Sequence, residues 1–78
     1  MDGPGRVAFS DHAAERAERY GVPFTDVADA VLDGHAQRQR NVGSGDWIVT
    51  RGSLAVVYNW PDEGDALTAR VVTLWSAQ

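Results

Sequence analysis

Apolar residues recur every three to four positions in the first half of the chain and every second position in the second half, with the change of period at Gly34. Residues 1–5, Met-Asp-Gly-Pro-Gly, are turn formers and predict a flexible leader; residues 6–9 then read as a short first strand. Ser10 stands where an N-cap belongs, and Asp11 suits the positive end of the helix that follows. Ala13, Ala17 and Tyr20 share one face of that helix, Phe9 packs back onto it from before the cap, and Gly21 ends it. Pro23 opens the next element, Thr25 caps it, and Val27, Ala28, Ala30, Val31 and Leu32 build a second amphipathic helix that Gly34 stops.

Residues 35–42 alternate polar side chains without a clear buried face, which predicts an edge strand or an extended arm before the Gly43-Ser44-Gly45 loop. Residues 47–50 form a strand, Arg51-Gly52-Ser53 a tight turn, residues 54–60 a second strand, residues 61–65 a loop, and residues 67–75 a last, strongly apolar strand. This order predicts one α+β domain over residues 6–78. A short strand and two helices precede a three-stranded antiparallel meander, and both helices cover one face of it. The other face would carry side chains such as Arg51, Asn59 or Arg70, and that face or the cleft beside it is the natural place for a ligand.

The chain has 78 residues, enough for one small domain, and eleven of its apolar residues are alanine. Core volume must therefore come from Val, Leu and the three tryptophans Trp47, Trp60 and Trp75, and self-association as a homodimer would help so small a core. No cysteine is present, which excludes a disulfide framework and a thiolate metal site and points to a reducing cytoplasm. No apolar run reaches the ~18 residues of a membrane span, and the N-terminus lacks a signal-peptide pattern, so no membrane role is expected. Two histidines far apart and carboxylates without ligand spacing predict no metal, and nothing implies another cofactor. Seven arginines and no lysine stand against eleven acidic residues, a net charge of −4. That balance argues against a broad nucleic-acid footprint and leaves only a local basic group, Arg38, Arg40 and Arg51.

The order Phe-Ser-x-His-Ala-x-x-Arg, then Tyr-Gly-Val, an acidic second helix, an arginine-containing segment, Leu-Ala-Val-Val-Tyr and Val-Val-Thr-Leu-Trp resembles the small proteins grouped near the RelE/ParE and BrnT toxins. The resemblance covers residues 6–76. It implies the fold shared by RelE-type and barnase-like ribonucleases, RNA cleavage on the exposed side of the sheet, and a cognate antitoxin as partner. It also has departures: the chain lacks the lysines of RelE-type nucleases and the late basic or aromatic catalytic group expected after Trp75.

Metal-independent RNA cleavage needs an acid, a base and a cation that stabilises the phosphorane. His12 and Arg16 lie one helical turn apart and can meet one substrate, and Arg51, at the turn into the next strand, can aim at the cleft of Arg38 and Arg40 or stand as an exposed turn residue; His12, Arg16 and Arg51 are the candidate catalytic residues. The plainer reading pairs His12 with Glu15 or Asp11 and leaves Arg16 in surface ion pairs. His35, Arg38, Arg40 and Tyr58 are candidate phosphate- or partner-binding residues, because Arg38 and Arg40 alternate toward one face as a clamp would. Against this, His35 can serve as a helix cap, the two arginines as guards of an edge strand, and Tyr58 as core. The tryptophans read as core rather than as a base-stacking platform. Three functions follow: a toxin-like endoribonuclease, a non-catalytic protein-binding or regulatory module on the same fold, or a structural homodimer whose function lies in assembly.

Overall fold

The computed structural model describes residues 3–77. The chain forms β1 (Arg6–Phe9), α1 (Asp11–Tyr20), α2 (Phe24–Gly34), a 3-10 turn (His35–Gln37), β2 (Gln39–Arg40), β3 (Trp47–Arg51), β4 (Leu54–Asn59) and β5 (Thr68–Ser76). No helix among the described residues is long and apolar enough to cross a membrane.

Local chemistry accounts for α1 at both ends. The Ser10 hydroxyl accepts from the Ala13 N–H at 3.0 Å. Gly21 adopts φ +68°, and the N–H groups of Gly21 and Val22 turn back to Glu18 and Ala17 carbonyls at 3.1 and 2.9 Å. The second helix departs from its expected bounds: Pro23, without a side-chain cap bond, replaces Thr25 as the cap. Gly34 stays right-handed, so the chain tightens into the 3-10 turn instead of stopping there.

The α+β class holds, but the sheet is not a three-stranded antiparallel meander. It has five strands in the order β1-β5-β4-β3-β2 and is mixed, because β1 pairs in parallel with β5 while β2 adds antiparallel to β3. The parallel edge is possible because α1 and α2 stand between β1 and the rest of the chain and supply the crossover that a parallel pair needs. Asp65 clamps that edge. Its carboxylate accepts from the Thr68 hydroxyl at 2.8 Å, the Leu67 N–H at 2.9 Å and Arg6 at 3.1 Å. Those bonds, the Thr68 hydroxyl first, hold its pKa below the usual carboxylate value. Gly5 and Arg6 N–H groups both donate to the Leu67 carbonyl, at 2.8 and 3.0 Å. Residues 1 and 2 of the leader lie outside the described residues.

The core fills the space between the helices and one sheet face, with Ala13, Ala17, Val27, Ala30 and Val31 against Val49, Leu54, Val56, Tyr58, Ala69, Val71 and Leu74. A β-bulge interrupts β5. Val57 pairs with Thr73 but Tyr58 with Val71, so Val72 is extra and the core-facing row runs Ala69, Val71, Leu74. Strict alternation after Val71 would have sent Thr73 and Trp75 inward. Instead Trp75 is 38% exposed on the opposite face, which corrects its expected core role. Asn59 and Arg70 also occupy that outer face, whereas Arg51 pairs with Leu54 on the helix-covered side. The loop before β3 crosses the outer face at Gly45, where φ is +95° and a Cβ would collide with a Val57 methyl; only glycine fits both demands.

Candidate functional site

The seven residues singled out in the sequence fall into two groups. His12 lies exposed on the first turn of α1 and makes no hydrogen bond or ion pair among the described residues. Arg16 points to the sheet, where its Nε donates to the Leu74 carbonyl at 3.0 Å, and its guanidinium lies 5.4 Å from the Tyr20 ring centre. Arg51 forms an exposed ion pair with Asp33 of α2 at 3.2 Å. Arg51 also lines a cleft of about 410 Å³ with Tyr20, Asp26, Asp29 and Ser53, and no histidine borders it. Among the described residues no hydrogen bond or ion pair joins His12, Arg16 and Arg51.

The geometry of Arg16 has a measurable consequence. It completes hydrogen bonding on the part of β5 that lies beyond β1, next to Ser10, whose hydroxyl donates to the Val72 carbonyl at 3.1 Å. Arg16→Ala is therefore expected to lower the unfolding free energy by about 1–2 kcal/mol, the worth of a part-buried charged hydrogen bond. His12→Ala should change it by less than about 0.5 kcal/mol. Urea titrations followed by circular dichroism read the difference.

His35, Arg38, Arg40 and Tyr58 do come together, at the end of the sheet where α2 gives way to β2. The 3-10 turn carries His35 under the sheet, where it is 4% exposed, and its Nδ1 shares a 2.7 Å hydrogen bond with the hydroxyl of fully buried Tyr58. Burial pushes the Tyr58 phenol up to about 12, against a smaller opposing pull from Arg38. The His35 ring meets Trp60 edge-on at 4.6 Å, and Gly3 backs so closely onto the ring that a Cβ there would lie 2.8 Å from Cδ2. Arg38 donates from Nη1 to the His35 carbonyl at 3.0 Å.

From that anchor the Arg38 guanidinium reaches over Trp47, 4.2 Å from the ring centre, with Trp60 at 5.5 Å. Arg40 lies over the same Trp47 ring at 4.6 Å. The register explains the meeting. Arg40 sits directly opposite Trp47, and the Asn41 N–H to Asp46 carbonyl bond of 3.0 Å makes Arg40 and Trp47 a non-hydrogen-bonded pair, whose side chains are the closer kind. Trp47 is locked in place by its Nε1 bond to the Trp60 carbonyl at 3.1 Å, and Trp60 by its own to Ala66 at 2.9 Å. Arg6, Arg51 and Arg70 each hold a carboxylate, of Asp65, Asp33 and Asp62. Arg38 and Arg40 hold none among the described residues.

Trp47 and Trp60 are the functional candidates that sequence reasoning assigned to the core alone. Both are half-buried and pack against the core, yet they also form the platform for the two arginines. Counting outward from a Gly43-Ser44-Gly45 loop sets Arg40 opposite Ile48, whereas the strands pair Arg40 with Trp47 and Gln39 with Ile48, so this meeting was not legible in the sequence. The sequence matches no family model, and neither curated proteins nor solved structures yield a match.

Proposed function

We propose that this protein is a toxin-like module of the RelE/ParE and BrnT kind that works by binding an anionic protein partner, not by cutting RNA. The observation that carries the reading is the pair of arginines on Trp47. In a chain with more acidic than basic residues, three arginines are spent on internal ion pairs, while Arg38 and Arg40 keep their charge for an outside group. A guanidinium resting on an indole retains its hydrogen-bond donors and loses less freedom when a carboxylate arrives. Binding fits better than catalysis because the titratable neighbours, His35 and Tyr58, are buried, and a phenol held near 12 is a poor proton donor at neutral pH. An acidic antitoxin would be such a partner.

One observation favours the ribonuclease reading: a histidine, a phenol and an arginine lie in sequence from the buried end to the edge. Tryptophan fluorescence separates the two. A polyglutamate peptide should shift the emission of Trp47 with an affinity that falls as salt rises, and the Arg38→Ala, Arg40→Ala double variant should bind at least about tenfold more weakly. RNA cleavage by the purified protein that Tyr58→Phe abolishes, without loss of fold, would overturn the binding reading.

A further inference from the structure

The edge that carries Arg38 and Arg40 is also a strand edge with unused backbone groups. Strand β2 ends the sheet, and its inner side is taken by β3. Because the Asn41 N–H bonds inward to Asp46, antiparallel alternation turns the N–H and C=O of Arg40 outward. The Arg38 N–H returns to the His35 carbonyl, at 3.1 Å, and Arg38 is already in extended conformation. Two residues beyond Arg40, Val42 is 96% exposed, an apolar side chain standing free beside the two cations.

We infer that an extended acidic segment of a partner protein adds to the sheet as a sixth strand along Arg38–Val42. This inference rests on the reading of the Arg38–Arg40 edge as the binding surface. The Arg40 backbone pairs with one partner residue, whose carboxylate and that of the residue two positions along project on the same face as the Arg38 and Arg40 guanidiniums, while the residues between them turn to the opposite face. Charge selects the occupant. A second copy of this chain would set Arg40 against Arg40 across the new pair, which like charges disfavour. Two cations in a protein of net charge −4 offer little to the repeating phosphates of RNA.

The test is amide hydrogen exchange on the ¹⁵N-labelled full chain, with a ten-residue peptide alternating glutamate and valine and the same peptide N-methylated at every second residue. Saturation with the first peptide should slow exchange of the Arg40 amide at least about tenfold and leave that of Asn41, already bonded to Asp46, little changed. The N-methylated peptide, unable to complete the ladder, should bind at least about tenfold more weakly. Salt-sensitive binding that depends on both arginines but leaves the Arg40 amide unprotected would overturn strand addition and keep the anionic surface. Absence of peptide binding would overturn both. Self-association of Arg40→Ala in sedimentation, with no peptide bound by the wild type, would make Arg40 a guard of the edge instead.

Discussion

Truncating Leu74 to alanine is expected to lower the unfolding free energy by about 2–5 kcal/mol, while Trp75→Ala, the larger deletion, costs roughly 1 kcal/mol. Leu74 is completely buried, opposite Val56 in the core-facing row, and its removal leaves a cavity between sheet and helices that rigid neighbours fill only in part. Trp75 lies opposite Ala55 on the other face and is 38% exposed. The order of the two effects is a direct reading of the bulge at Val72. Urea denaturation followed by far-ultraviolet circular dichroism measures both without relying on tryptophan emission. If Trp75→Ala proved the costlier change, the strand would be in the unbulged register.

Stability at high pH should depend on Tyr58. The phenol ionises near 10 in an unfolded chain and near 12 in the folded one, so the folded state favours the neutral form. The resulting contribution is complete below about pH 10 and disappears as pH rises through 12. Over those two units the loss amounts to roughly 3 kcal/mol, about 1.4 kcal/mol per unit. Tyr58→Phe removes this alkaline limb. It also costs about 1–3 kcal/mol at neutral pH, because His35 Nδ1 is left without its partner in a site closed to water. Unfolding curves collected at intervals from pH 7 to 11.5 for both proteins test the slope and the offset together. A wild-type curve parallel to that of Tyr58→Phe across the whole range would mean that the phenol is not sequestered.

The same two residues show how the candidate site is distributed between what is local and what is not. His35 and Tyr58 are twenty-three positions apart, and neither the helical nor the strand period relates them. They meet because the chain does not stop at Gly34 but tightens by one 3-10 turn, which turns the imidazole under the sheet. His12, Arg16 and Arg51 are suggestive as a set only while their spacing along the chain is the measure. In space, Arg16 belongs to the hydrogen bonding of β5 and Arg51 to α2.

Periodicity and punctuation by themselves determined the elements whose causes are local. The cap at Ser10, the stop at Gly21, the two apolar helix faces and the strands flanking Arg51-Gly52-Ser53 are each decided within about a dozen residues. Composition likewise determined that a chain poor in large aliphatic residues must build its core from alanine-lined helices laid on valine-rich strands. Tertiary structure alone decided the rest. The parallel pairing of β1 with β5 joins residues some sixty positions apart, and the bulge at Val72 chooses between Leu74 and Trp75 by the space the helices leave. The placing of Arg38 and Arg40 on Trp47 follows from the hairpin register. Such choices depend on long-range packing and hydrogen-bond satisfaction, in which no single residue carries the preference.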